Sequence, residues 1–482
     1  MDWYIWLIIG VCAVIAILLA IVIIRTLCFK STKENEREVA PLKIDENKAV
    51  SDLQAMVCCK TISCDDRSLE DDAEFLKFEK LLFERFPKIA KTCEFYKLSD
   101  RALLFKWKGK SSEKSSVLMS HYDVVSVEES LWSKPAFEGI LENGVLWGRG
   151  VIDTKGTLNG AMQAVEHLIG EGFVPKNDIY LAFSGNEEIN GDGAPTIVKW
   201  FKERGISPSL VCDEGGAVVD RVFPAVHQPC ALIGIAEKGM LNVRFSIEGS
   251  GGHASSPPAK TALGTLSKAC IKVEKKPFKR RISIPAKELF NTLGKRSNFL
   301  YRMIFANLWL FAGLLDKICK KTGGELNALM RTTVAFTQMQ GSKGMNVLPP
   351  YAEMVANLRL MNGDTVDSAI ERLTKIVNDD KIKVEKIYGS NPSNISKVDC
   401  QSYEIMKNAV SDTWQDAIVS PYLMLACSDS RHYGEISDYV YRFSAMRLSK
   451  EERASIHGND EKLPVSTIIK TVEFYIRLIN QI

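Results

Sequence analysis

Histidines and carboxylates recur at one kind of place in this sequence, the ends of short apolar runs. His121 and Asp123 follow VLMS, Asp153 follows VLWGRGVI, and Glu187 with Glu188 follows IYLAFSGN. Asp213 and Glu214 follow LVC, and His457 lies in ASIHGNDEK in the last third of the chain. Carboxylates and imidazoles gathered in one place are costly to bury unless a cation holds them. Two imidazoles with three or four carboxylates form a nitrogen–oxygen donor set that suits Zn, Mn or Co. Two ions about 3.5–4 Å apart, bridged by one carboxylate, would satisfy all of these groups. Taken singly, each residue has a plainer reading. Asp153 could merely cap the helix that follows it, and Asp213-Glu214-Gly215-Gly216 could be a simple turn. Their recurrence at one topological position outweighs those readings.

The elements that must position them alternate. VLMSHYDVV (117–125) reads as a strand entering a loop, and TKGTLNGAMQAVEHLIGEG (154–172) as a helix ended by glycines. DIYLAFSGNEE (178–188) is strand then loop, APTIVKWFKERG (194–205) helix, and SLVCDEGG (209–216) strand then turn. Strands alternating with helices predict an α/β fold, a mixed, largely parallel sheet with helices on both faces. In such a sheet ligands bind outside the carboxyl ends of the strands. From about Glu237 the pattern changes. GMLNVRFSIEG (239–249) alternates like a half-exposed strand, and the order strand-helix-strand-strand-helix-strand that follows is that of a ferredoxin-like unit. The expected organisation is a catalytic domain in two parts, 49–236 and 393–482, with an inserted ferredoxin-like α+β lid over 237–392.

The chain has 482 residues, 46% of them hydrophobic and 25% charged, which excludes a disordered, collagenous or coiled-coil protein. With 62 Lys and Arg against 59 Asp and Glu, the net charge of +3 supplies no electrostatic case for a nucleic-acid partner. The 12 cysteines are scattered without zinc-knuckle spacing, which predicts mostly free thiols in a reducing compartment. Between Asp2 and Arg25 no charge occurs, and 22 apolar residues from Trp3 would span about 33 Å as a helix. That predicts a single transmembrane anchor over 3–25, with Trp3, Tyr4 and Trp6 at one interface, and a polar tether over 26–48. Arg25, Lys30, Lys33 and Arg37 follow the anchor, so the positive-inside rule places the catalytic domain in the cytosol. The sequon Asn394-Ile395-Ser396 is the one contrary sign.

SHYDVV, WGRGVIDTKG, SGNEEINGDGA, VCDEGG, GSGGHASSPP and SIHGNDE resemble, in this order, the motifs of the di-zinc aminoacylase and carboxypeptidase superfamily. The likeness runs from about residue 50 to the end. It is greatest to the branch of carboxypeptidase S and the N-fatty-acyl-amino-acid hydrolases. The resemblance implies that His121 and Asp213 hold one zinc, Glu188 and His457 the other, and Asp153 bridges them. It implies Asp123 as the partner that fixes the His121 tautomer, Glu187 as general base, and His253 as an oxyanion stabiliser. In dimeric relatives that histidine comes from the second subunit, so a homodimer through the lid is an open expectation. Arg431 matches the position that contacts a substrate carboxylate, with Arg359 and Asn346 as further candidates. Two departures stand out: Asn186 where Asp commonly precedes the paired glutamates, and Ala426-Cys427-Ser428 where Gly-Gly-Thr is usual.

The expected activity is therefore zinc-dependent hydrolysis of an amide next to a free carboxylate, in a peptide or an N-acyl amino acid. Mn or Co could replace Zn. The rivals are a dipeptidase with the same chemistry and a catalytically silent, membrane-tethered binding protein. Within the expected lid, FLYRMIFANLWLFAGLL (299–315) reads either as a core helix or as the wall of an acyl-chain channel.

Overall fold

A computed structural model describes residues 3–31 and 38–482. Its centre is an eight-stranded mixed sheet in the order Glu94–Ser99, Ala102–Trp107, Asn177–Ser184, Ser111–His121, Leu210–Val219, Val440–Leu448, Cys230–Glu237, Ile418–Met424. Ser111–His121 runs parallel to both of its neighbours, as do the ladders joining Leu210–Val219 to Val440–Leu448 and Cys230–Glu237 to Ile418–Met424. Strand alternation feeds two cores at once. Leu103, Phe105, Leu118, Leu181 and Phe183 point to the larger core, under helices Lys155–Gly170 and Val465–Ile479. Ala102, Leu104, Val117, Met119, Tyr180 and Ala182 point to the other face, against Ile197, Trp200 and Phe201 of the helix Gly193–Glu203. The two large helices approach closely at Gly160, where a Cβ would lie 2.5 Å from the Thr471 methyl.

Between Cys230–Glu237 and Ile418–Met424 the chain leaves to build a four-stranded antiparallel sheet. Its order is Thr333–Gln340, Tyr351–Leu360, Gly239–Glu248, Ile382–Ser390. Leu241, Val243, Phe245 and Ile247 alternate into a separate core with Leu266 and Val273 of helix Ala262–Glu274 and with Leu373 of helix Val366–Val377. The helical excursion between them behaves differently. Ala286, Leu289, Phe290, Phe305, Leu315 and Cys319 pack with the larger core, so residues 284–330 belong by contact to the main body.

The N-terminal helix spans Trp3–Cys28 and is long and apolar enough to cross a membrane. Of the expected tether, residues 32–37, including Lys33 and Arg37, lie outside the described residues. Its end is already folded, because Asp45 caps a helix that starts at Glu46. All 12 cysteines are free thiols.

Candidate metal centre

Different elements bring the sequence-predicted residues together: His121 and the paired glutamates lie at or just past the carboxyl ends of central strands, Asp153 precedes the helix Lys155–Gly170, and His457 follows the short helix Lys450–Ser455. His121 ends its strand, and its Nε2 lies 3.0 Å from Asp153 Oδ1. The other oxygen of Asp153 lies 3.0 Å from Nε2 of His457, which also stands 3.0 Å from Glu188 Oε2. One carboxylate thus joins two imidazoles through its two oxygens. Ligand atoms of His121, Asp153 and Glu188 lie within 4.8 Å of one another, as do those of His121, Glu187 and Glu214.

Buried hydrogen bonds fix these side chains. The Nδ1 of His121 is 3.0 Å from the Asp123 carbonyl and 3.3 Å from its Oδ1. Asp123 is fully buried, and its carboxylate accepts the backbone N–H groups of Glu187 and Glu188, each at 3.1 Å, and the Ser63 hydroxyl at 2.6 Å. One residue therefore orients the imidazole and aims the paired glutamates. Glu461, only four residues beyond His457, performs the equivalent task for Asp153. It accepts N–H groups from Gly150, Ile152 and Asp153 and a guanidinium hydrogen bond from Arg149 at 2.7 Å. Sequence reading passed over Glu461; its nearness to His457 was the available signal.

At Asp213 the structure corrects the expectation. VCDEGG is not strand followed by turn; the strand continues through it, Leu210–Val219. Successive side chains of a strand point to opposite faces. The carboxylate beside the imidazole is that of Glu214, with Oε1 3.6 Å from His121 Nε2. Asp213 turns the other way and accepts the Ser430 N–H at 3.0 Å. The ladder with Val440–Leu448 shifts register here: Asp213 faces Arg442, but Gly216 faces Phe443. Gly216 permits this, since a Cβ would stand 1.7 Å from the Leu232 carbonyl oxygen.

The other sequence candidates surround or stand apart from this cluster. The Arg431 guanidinium donates to Asn190 Oδ1 at 3.0 Å, on the turn after the paired glutamates. Arg359, on the inserted sheet, lies 3.5 Å from Cys427 Sγ. Asn346 is exposed, and its carbonyl accepts the Ala254 N–H. His253 is exposed on a short strand pair, its Nδ1 2.7 Å from Ser255 Oγ. Among the described residues no hydrogen bond or ion pair ties it to the carboxylates. Of the two departures, Asn186 bonds Asp192 and the Gly193 N–H at a helix start. Ser428 donates twice to Glu237, which pairs with Arg442 in the interior.

Charge in the cluster is unbalanced without a cation. Burial pushes the carboxyls of Glu187 and Glu214 well above the usual carboxylate range and raises those of Glu188 and Asp213. Burial would lower His121, yet Glu214 and the hydrogen bonds to Asp123 and Asp153 hold it well above the ordinary imidazole value. Hydrogen bonds to Asp153 and Glu188 push His457 up to about 10. Burial opposes ionisation of Asp153, but both imidazoles hold its carboxyl below the usual range. Hard or borderline divalent ions fit this donor set.

Comparison with known proteins agrees with the chemistry. Residues 117–481 match the model of the peptidase family M20/M25/M40. A probable carboxypeptidase S-like 2 of Dictyostelium discoideum is 33% identical over 96% of this chain and 92% of its own. An N-fatty-acyl-amino acid synthase/hydrolase, PM20D1.1 of Danio rerio, is 32% identical over 97% and 93%. Among solved structures, the M20 family metallo-carboxypeptidase Sso-CP2 from Sulfolobus solfataricus superposes with a TM-score of 0.66 at 15% identity, covering 89% of this chain and 98% of that one. The di-peptidase Dug1p from Saccharomyces cerevisiae gives 0.63 at 14% identity, covering 91% and 99%. These two show the shared mixed α/β fold. The chain belongs to the peptidase family M20/M25/M40, in the branch of the carboxypeptidase S-like proteins and the N-fatty-acyl-amino acid hydrolases, and is a metallo-hydrolase.

Proposed function

We propose that this chain hydrolyses the amide bond of peptides with a free C-terminal carboxylate or of N-acyl amino acids, using two divalent ions, zinc in the first instance. The observation that carries the reading is Asp153 set between His121 and His457, one oxygen to each. In this reading His121, Asp153 and Glu214 would hold one ion, and His457, Asp153 and Glu188 the other. Bound there, such ions would supply Lewis acidity to the scissile carbonyl and to the attacking water. Glu187, half-buried beside His121 and Glu214 and not needed as a ligand, takes the proton of the water. The water oxygen bonds to the acyl carbon, the C–N bond breaks, and Glu187 returns its proton to the leaving nitrogen. The products are a carboxylate and a free amino acid. Arg431 seats the substrate carboxylate, with Arg359 beyond it.

Among the described residues His253 makes no bond to the carboxylates in a single chain, and it sits on the insert opposite exposed Val347, with exposed Met345 two residues before that valine. That apolar edge supports pairing of two inserts, which would let His253 act on the partner's substrate as oxyanion donor. The N-terminal helix is read as a membrane anchor, with the catalytic body on the cytosolic side.

The test is a substrate panel at matched concentrations: N-acyl amino acids from acetyl to oleoyl, blocked peptides with free C-termini, and dipeptides, each with added zinc, manganese or cobalt. Release of the C-terminal amino acid that chelator abolishes and metal restores is the expected result. Hydrolysis confined to dipeptides would replace this substrate class, and no hydrolysis in any arm would favour a binding role.

A further inference from the structure

The end of the N-terminal helix is gripped by the helical excursion. Asn307, fully buried, donates through Nδ2 to the Val22 carbonyl and the Thr26 hydroxyl, both at 3.3 Å. Arg25 donates through Nε and Nη2 to the Ala306 carbonyl at 3.3 and 3.1 Å. Val22 and Thr26 are the buried residues of this helix; its earlier turns are bare. Residues 3–22 would span about 30 Å, the thickness of a hydrocarbon core. Asn307 therefore marks the level at which the helix leaves the bilayer.

Asn307 is also the corner between helices Phe299–Ala306 and Leu308–Thr322, which meet at 111°. Such a bend excludes one straight span. Around it Phe299, Leu300, Trp309, Leu310, Leu314 and Ile318 are each 47–58% exposed. Leu310, Leu314 and Ile318 form a stripe at fourfold spacing, about 100° round the helix from the buried Leu315 and Cys319. Exposed Lys317 and Lys321 lie toward the far end of the same face. A water-facing helix would reverse this arrangement; an interfacial helix requires it, with apolar side chains at the acyl boundary and lysines reaching the headgroups.

We propose that the corner formed by Phe299–Ala306 and Leu308–Thr322 is embedded in the bilayer interface, a second, monotopic membrane contact that holds the catalytic body against the lipid surface. The occupant of the apolar face is lipid, because the corner that carries it is hydrogen-bonded to the anchor at Val22 and Thr26, next to the anchor's bare turns. The inference rests on the anchor reading given above.

The full chain in nanodiscs of phosphatidylcholine and phosphatidylserine tests both. A photoreactive diazirine side chain is placed at position 314 on the corner, at 15 in the anchor, or at 69, an exposed apolar position on the body. Lipid adducts at 314 and 15, absent at 69, are expected. Adducts at 15 alone would overturn the interfacial corner and leave the anchor standing. Adducts at neither would remove the anchor, and the corner with it. Chain-to-chain adducts at 314 would assign the face to a second copy instead.

Discussion

At the level of single residues, the roles separate by what each carboxylate touches. Glu187 is set by Asp123 and lies beside His121 and Glu214, but the proposed ions have their ligands without it. Glu187→Gln should therefore retain metal by elemental analysis while turnover falls about 10²-fold or more, the scale of a lost general base. Loss of metal together with activity would show Glu187 to be a ligand. The pair 213–214 supplies a sharper contrast. Glu214→Gln should lower metal occupancy, whereas Asp213→Asn should leave it intact and disturb only the bond to Ser430. The opposite outcome would return Asp213 to the site. Residue types and motif order were legible in the sequence, because the chemistry needs them in this form. Which member of a pair faces inward was not: it depends on whether the strand stops at Cys212 or runs on to Val219, and the register shift opposite Arg442 is a property of the pairing strand.

Elements explain what local pattern left open. The apolar run 299–315 signals burial or a channel equally well from its composition. Only packing shows that it bends at Asn307 and buries Phe305 and Leu315 in the main core while leaving the Leu310 stripe bare. The alternation in 239–249 was plainer, since a half-exposed strand has one solution for its inner face. The joint between main sheet and insert carries a measurable charge. Lys238, 1% exposed, donates to the carbonyls of Ala328 and Arg331 and so ties the first strand of the insert to the helical excursion. Burial, with Arg359 nearby, lowers its amine from 10.5 to about 7. Between these values the unfolded chain holds a proton on this amine that the folded protein lacks, so the contribution of Lys238 to stability rises with pH. That contribution has a slope of about 1.4 kcal/mol per pH unit from pH 7 to 10.5, with the full cost present below pH 7. In Lys238→Met that contribution should disappear, so the difference between the two proteins changes with pH by this slope on top of a constant offset from the lost hydrogen bonds. Denaturant midpoints of both proteins over this range measure it, and parallel curves would contradict the buried-amine account.

For the whole molecule, the arrangement is a two-part main body, an insert whose four-stranded sheet carries Arg359 and whose short strand pair carries His253, and an apolar helix at the N-terminal end. If His253 acts across a pair of chains, Glu187→Gln and His253→Ala are each inactive alone but regain part of the activity when co-expressed, because a mixed pair contains one complete site. Co-expressed proteins as inactive as their parents, with mixed pairs verified by tags, would confine each site to one chain. The central claim is the bridged pair of ions. It is tested most directly by stripping the purified full-length protein with chelator, adding zinc back in steps, and following bound metal by elemental analysis beside hydrolysis of an N-acyl amino acid. The account predicts saturation at two ions per chain in the wild type, activity that rises with occupancy, and loss of both in Asp153→Ala. Full hydrolysis by the stripped protein, or full occupancy in Asp153→Ala, would contradict it.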